Sequence, residues 1–472
     1  MAQAVLLKNR CDTRMPLFRL VLYLFPCISV AQLERKCSQS RHDSDSDDTY
    51  SVLQVHQEVV RSVAQKQAQQ RRRLFGMLDD DTIDDLIEKM VWFYLGIDDK
   101  YALRSCGYDG IDLNMSTMVN KNVWPGCGVP VGEGLGRVGA LADFDSCNET
   151  CLRRQVMEEM GDFSAMHGGE RVSYMTRAGK DRARKEIEVV ELTGWWLPAP
   201  QHASTTPRII VVHGLHENSN SAIEQFAAFL LRKLGYSVLV HSYRDTCYSG
   251  TSKAHINEWG HAHPFDILGA WDFLQNDPGG VLGGPMPSSK VGIMGFSEGG
   301  FLTGTAFGME AAVPAVWLDA PPFNLFGALR AFALNLVELR LQGEAVMMES
   351  ILPYAYQQGA EYASRKGVNV TDFTPEKTLP NGSDNKRPIM VSGNTLDDVV
   401  IYDDNHAKFI SFLEQFPEKY LVSTLSFTHA CNGMYHIIDH LASPGRYATE
   451  LCRFWSRAFN ASQDCSVTSQ WF

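Results

Sequence analysis

The sequence predicts an α/β protein with a mostly parallel central sheet flanked by helices. Three observations carry that expectation. From about residue 168 onward, short runs rich in Val, Ile and Leu alternate with longer amphipathic stretches. Runs such as "RIIVVHG" and "KVGIMGF" are apolar without alternation, as strands covered on both faces are. Of 472 residues, 44% are hydrophobic, enough to fill a large core and to argue against global disorder.

The elements follow in order. "ERVSYMTRAG" and "KEIEVVELTGWWLPAP" read as two strands around a polar turn. "RIIVVHG" is a buried strand, and "SNSAIEQFAAFLLRKLG" a helix with Ser219 or Asn220 near its cap and Gly235 past its end. "YSVLVHSYR" and "PFDILGAWDFLQN" are the next strand and helix, then "KVGIMGF" and "SEGGFLTGTAFGM". "AVPAVWLDAP" is a further strand. After a long interval come the strand "RPIMVSG", a helix around 405–416, the strand "KYLVSTLSF" and a last helix, "GRYATELCRFWSRAFN". The interval, 323–386, is rich in Leu, Ala, Met and Tyr at helical spacing. It predicts a helical cap inserted between two parts of the core, 168–322 and 387–472.

The region before the core reads differently. Lys8, Arg10 and Arg14 precede the apolar run "LVLYLFPCI" at 20–28, and Ser29-Val30-Ala31 follows it as a small-x-small cleavage pattern. Residues 1–31 are therefore expected to be a signal peptide, with an uncleaved membrane anchor as the alternative. The run is shorter than the roughly 20 apolar residues a spanning helix needs, and no later segment reads as a span. Residues 32–80 are polar and charged, and disorder is expected there. "DDTIDDLIEKMVWFYLG" opens 81–167 as an amphipathic helix.

Nine of the 11 cysteines follow Ala31. Cys106, Cys127, Cys147 and Cys151 make 81–167 a disulfide-rich accessory region, and Cys452 with Cys465 looks like a further pair. Five Asn-x-Ser/Thr sequons lie at Asn114, Asn148, Asn369, Asn381 and Asn460. Together these features predict a glycosylated protein of the secretory pathway. The formal net charge of −12 argues against nucleic acid as a partner.

The chemistry centres on "VGIMGFSEGG", 291–300. A strand runs into Gly295-Phe296-Ser297-Glu298-Gly299, and an apolar helix leaves. That context suits a nucleophile elbow, in which a serine sits on a sharp strand-to-helix turn. A serine hydroxyl needs a base to take its proton, and the base needs a partner.

From about residue 170 to 459 the chain resembles the α/β-hydrolase superfamily, in its serine aminopeptidase-like and esterase-like branch with a cap insertion. "IIVVHGLHENSN" is similar to that family's His-Gly strand and oxyanion loop. "GYSVLVHSYRDTCYSGTS" is similar to its next strand and loop, with Ser242 and Asp245 as departures from the pattern. "FDILGAWDFL" matches the helix before the elbow.

The resemblance implies a triad in the order Ser, acid, His. "RPIMVSGNTLDDVVIY" offers Asp397 and Asp398 beyond a core strand, and alignment on Val400-Ile401 selects Asp397 as the acid. His429, His436 and His440 follow the last strand. His436 is the chosen base, with Gly433 three before it and Tyr447 eleven after it. The oxyanion hole is expected from the backbone N–H groups of Leu215 and Glu298.

His255, His261 and His263 lie near Asp266, but one short loop rarely closes a metal site, so no metal and no cofactor is expected. The implied function is a secreted serine hydrolase acting on esters or related acyl compounds. A peptidase or aminopeptidase of the same fold is the alternative. A hydrolase fold used for binding alone is disfavoured, because every triad position has a candidate.

Overall fold

The computed structural model describes Val91, Leu95, and residues 169–202, 204–215, 219, 222–338, 345–383, 385–397, 399–428, 436–437, 439–466 and 468. The expected signal peptide and polar segment, nearly all of the accessory region, and the candidates Asp398 and His429 lie outside these residues.

Eight strands form one sheet: β1 (Glu170–Met175), β2 (Glu191–Leu197), β3 (Arg208–Val212), β4 (Ser237–His241), β5 (Val291–Phe296), β6 (Val316–Asp319), β7 (Arg387–Asn394) and β8 (Tyr420–Phe427). Their spatial order is β1-β2-β4-β3-β5-β6-β7-β8. The β1–β2 and β2–β4 pairs are antiparallel, and every pair from β4 to β8 is parallel. Parallel neighbours need crossovers, which the helices supply. They are α1 (Ala222–Lys233), α2 (His263–Asn276), α3 (Glu298–Met309), α4 (Leu325–Glu338), α5 (Ala345–Arg365), α6 (Pro375–Thr378), α7 (His406–Leu413), α8 (Asp439–Ala442) and α9 (Pro444–Ala458).

The sheet's period of two sorts its side chains into two cores. Ile209, Val211, Val238, Val240, Met294, Phe296 and Trp317 point to one face, under α1 and α9. Ile210, Val212, Leu239, Ile293, Val316, Leu318 and Val391 point to the other, under α2, α3 and α7. All residues of β3, β4, β5 and β6 are buried, which explains why these strands read as unbroken apolar runs. On α9, Cys452 is bonded to Cys465 across 13 residues, which ties the C-terminal segment to the last helix. Cys247 is also held in a disulfide.

The interval between β6 and β7 carries α4, α5 and α6. Phe326 of α4 meets Tyr356 of α5 edge-on at 4.9 Å. Val91 and Leu95 are helical and buried, four residues apart on one face as the amphipathic pattern requires. The Leu95 carbonyl accepts the Asn257 N–H at 2.7 Å. Among the described residues no helix is long and apolar enough to cross a membrane.

The chain visits β4 on one side of β3 and then β5 on the other. That reversal opens a crevice at the carboxyl ends of β3 and β5, where ligands bind in sheets of this kind. The loops after these two strands begin at His213 and Ser297.

Candidate active site

Ser297 sits between β5 and α3 with φ 51° and ψ −119°, a left-handed conformation that costs a non-glycine residue of order 1–3 kcal/mol. Its N–H donates to the Asp319 carbonyl at the end of β6, at 2.8 Å. The flanking glycines have a steric reason. A Cβ on Gly295 would lie 2.2 Å from the Gly299 carbonyl oxygen, and one on Gly299 would lie 2.4 Å from that of His213. Both contacts are with backbone, which cannot move aside. The two glycines let the helix start pack against β3 and β5, and the serine is left at the tip of the turn.

Two further side chains meet it. The Ser297 hydroxyl lies 2.8 Å from Nε2 of His436, and Nδ1 of His436 lies 2.7 Å from Oδ2 of Asp397. The carboxylate is an acceptor, so Nδ1 carries the proton and Nε2 accepts from the hydroxyl. Asp397 follows β7 on a turn. Its Oδ1 accepts the N–H groups of Val399 (2.9 Å) and Val400 (2.8 Å), which leaves Oδ2 aimed at the imidazole. The Asp397 side chain is 2% exposed and that of His436 15%. The line therefore runs from a buried acid to a partly open serine.

The remaining candidate histidine is placed elsewhere. His440 is buried among the rings of Phe226, Phe296 and Tyr447, at 5.9, 5.3 and 5.4 Å. Leu215 is half-buried just past β3, and Glu298 is the first residue of α3. The helix start at Glu298 turns its N–H groups toward the elbow, the favoured end for negative charge. The Glu298 carboxylate itself points inward and accepts both contacts of the Asn257 amide, at 3.0 and 3.2 Å.

Residues that sequence reasoning missed surround this line. Asp319 is wholly buried; its Oδ2 accepts the Ser392 hydroxyl at 3.0 Å and the Tyr447 hydroxyl. Burial pushes its carboxyl above the usual range, against the pull of these hydroxyls. Asp439 is buried nearby, and burial together with the charges of Asp319 and Asp397 pushes its carboxyl up to about 9. Under the β3 and β4 ends lies a second polar group. Tyr243 stacks on His263 at 4.5 Å, and His213 meets Tyr243 edge-on at 4.5 Å. Tyr174 bonds His241 at 2.7 Å. Burial lowers His213 to about 4 and both His241 and His263 to about 3. Arg244 donates to Asp266 at 2.7 Å. Burial alone would raise the Asp266 carboxyl, but Arg244 holds it below its ordinary value. His255 stays half-exposed, so the sequence neighbours His255, His261, His263 and Asp266 do not converge.

A strained serine between two sterically required glycines, at the switch point of this strand order, decides the architecture. The chain has the α/β-hydrolase fold. No family model matches the sequence. A stretch of 104 residues is 35% identical to acylamino-acid-releasing enzyme 2 of Oryza sativa subsp. japonica, covering 21% of this chain. The match spans 13% of that relative's length. Among solved structures, the Pyrococcus furiosus esterase Pf2001 overlaps 61% of this chain and 92% of its own, with TM-score 0.41 at 15% identity. The acylaminoacyl peptidase of Pyrococcus horikoshii overlaps 62% of this chain and 43% of its own, with TM-score 0.38 at 18% identity.

Proposed function

We propose that the chain is a serine hydrolase that cleaves carboxylic ester or related acyl bonds through a covalent intermediate on Ser297. The observation that carries this reading is the unbroken line of contacts from Ser297 through His436 to Asp397, at 2.8 and 2.7 Å.

The mechanism follows from those contacts. The Ser297 Oγ attacks the substrate carbonyl carbon while its proton passes to Nε2 of His436. The imidazolium that forms is stabilised by the Asp397 carboxylate, which stays ionised. The oxyanion is received by the backbone N–H groups of Leu215 and Glu298, each contributing about 3 kcal/mol. The C–O or C–N bond then breaks, and His436 returns its proton to the leaving alcohol or amine. Water repeats the sequence against the acyl-serine, releasing the acid and restoring the hydroxyl. The helices between β6 and β7 cap the pocket in this reading and set the substrate's shape.

Release of an acylated amino acid from a peptide is the second reading. The 35% identity to the rice acylamino-acid-releasing enzyme over 104 residues favours it. We place the protein in the secretory pathway. The Cys452–Cys465 disulfide suits an oxidising compartment, and the sequon residues Asn369, Asn381 and Asn460 are exposed.

The test is labelling by a fluorophosphonate probe, which reacts with an activated serine. The wild type should label, and Ser297→Ala and His436→Ala should not. Turnover should fall by roughly 10⁴-fold or more in either variant. A wild type that does not label, or a Ser297→Ala protein that turns over normally, sinks the proposal. A panel of short- and long-chain esters against N-acylated peptides then separates the two readings.

A further inference from the structure

A second cluster of reactive side chains lies away from the triad. Asp181, His261 and Asp372 come from three separate segments, and one candidate ligand atom from each lies within 4.8 Å of the others. Asp181 is in the turn between β1 and β2. Its Oδ1 accepts the Lys185 N–H at 2.7 Å. His261 lies two residues before the start of α2, and Asp372 lies between α5 and α6.

The backbone holds these segments together. The Gly260 N–H donates to the Val370 carbonyl at 3.0 Å, and the Phe373 N–H to the Gly260 carbonyl at 2.8 Å. A Cβ at Gly260 would lie 1.9 Å from the Phe373 carbonyl oxygen, so this approach requires glycine. The Arg182 N–H donates to Asp372 Oδ2 at 2.9 Å and brings the third segment in. His261 and Asp372 are thus set facing each other by neighbours that do no chemistry.

All three residues are buried, and the imidazole is incompletely satisfied. Asp181 is 8% exposed, His261 9% and Asp372 5%. Nδ1 of His261 has no hydrogen-bond partner, yet it faces Asp372 Oδ2 at 3.8 Å, beyond hydrogen-bond length. A neutral imidazole offers its lone pair to a metal. The two carboxylates beside it supply oxygen ligands to complete the set.

We propose that Asp181, His261 and Asp372 bind a divalent transition cation, Zn²⁺ or Mn²⁺, which clamps the end of the segment between β6 and β7 to the core. One imidazole and two carboxylates suit these ions, whereas Ca²⁺ and Mg²⁺ take oxygen ligands. Zinc binds such groups at about 2.0–2.2 Å, so closure needs side-chain shifts on the order of 1 Å. The ion bridges residues 181, 261 and 372, which no sequence spacing relates. It departs from the expectation of no metal at the histidines near Asp266: of these only His261 takes part, and the carboxylates that complete the set come from distant segments. The site does not depend on the hydrolase reading.

The experiment uses the full chain, stripped with EDTA, dialysed, and titrated with Zn²⁺, Mn²⁺ and Ca²⁺ by calorimetry, with thermal melts alongside. Saturable binding of Zn²⁺ or Mn²⁺ that raises Tm is expected, with Ca²⁺ weaker than both. His261→Gln and the Asp181→Asn/Asp372→Asn double variant should weaken that binding by about 100-fold or more, beyond the effect of losing a supporting group. No saturable binding to the wild type overturns the proposal. So does binding that survives in both variants, or a preference for Ca²⁺. Co²⁺ gives a measurement that needs no variant. Nitrogen and oxygen ligands yield weak visible bands, whereas an intense thiolate band would put the ion on cysteine and overturn the assignment.

Discussion

Two carboxylates leave neighbouring parallel strands at the same end of the sheet and meet opposite fates. Asp319 is the last residue of β6, within its hydrogen-bonded register. The pleat points its side chain into the core, where the hydroxyls of Ser392 and Tyr447 receive it. Asp397 lies past the end of β7 on a turn. There two backbone N–H groups take one oxygen and leave the other for His436. The difference teaches that a strand end fixes an acid's direction by sheet geometry, while a turn beyond it can aim the acid. Asp319 organises the floor beneath the serine, and its carbonyl, not its carboxylate, touches the elbow.

The largest effect that could break this contrast comes from Asn at each position. Asp397→Asn should lower kcat by roughly 10⁴-fold, because the amide no longer specifies the imidazole tautomer. Its Tm should change little, since an amide oxygen still accepts from Val399 and Val400. Asp319→Asn should keep kcat within about tenfold but lose about 2 kcal/mol of stability: its amide oxygen can still accept both hydroxyls, and its NH₂ group is then buried at the Oδ1 position, where no partner lies. Steady-state kinetics and urea melts on both proteins decide it. If Asp319→Asn loses as much activity as Asp397→Asn with its fold intact, the two acids share one role and the contrast fails.

A smaller effect sharpens the part of the floor that is pure backbone. Gly299→Ala should destabilise the protein by about 3 kcal/mol. Its methyl would meet the carbonyls of Val212 and His213, at 2.6 and 2.4 Å. Gly300→Ala should cost less, because its nearest contact would be at 3.2 Å. Equal melting points for the two variants would mean that the elbow does not rest on this close approach.

The same contrast marks what a sequence can reveal. Ser297 is legible because its requirements are local: a buried strand, two glycines, and a helix within a few residues. Asp397 and His436 follow strand ends, and the loop pattern singles them out; they lie within hydrogen-bond reach of each other and of the serine. The alternation of apolar runs also locates every strand from β3 to β8. Asp319, Ser392 and Asp439 are invisible by contrast, and Tyr447 serves only as a landmark after His436. Each looks like an ordinary strand or helix residue, and their meeting depends on strand order and on how α8 and α9 pack. Asp181, His261 and Asp372 are hidden for the same reason. A contact between segments 80 or more residues apart leaves no period or spacing to read unless a local motif marks each partner, as it does for Ser297 and His436.

The smallest effect concerns Asp439, whose carboxyl is pushed up to about 9, first by burial and then by Asp319 and Asp397. It is 1% exposed at the start of α8, and neither oxygen has a hydrogen-bond partner. In the unfolded chain a carboxyl titrates near 3.9, about the ordinary Asp value. Between that value and about 9 the folded state therefore holds one more proton than the unfolded state. Stability must fall as pH rises through this window, by at most about 1.4 kcal/mol per pH unit. The buried histidines act with the opposite sign. His213 and His406 are lowered to about 4, and His241 and His263 to about 3, so the unfolded state binds their protons first on acidification. Their contribution rises with pH and is complete above roughly pH 7.5. Above about pH 7.5 the histidines no longer contribute, so the difference in urea midpoint between wild type and Asp439→Asn from there to about pH 9 reads the Asp439 carboxyl. The wild type should lose stability across that range, and Asp439→Asn, which stays neutral, should lose less. Parallel slopes for the two proteins would mean that Asp439 is already ionised at neutral pH, and that the floor beneath the triad carries more negative charge than its burial allows.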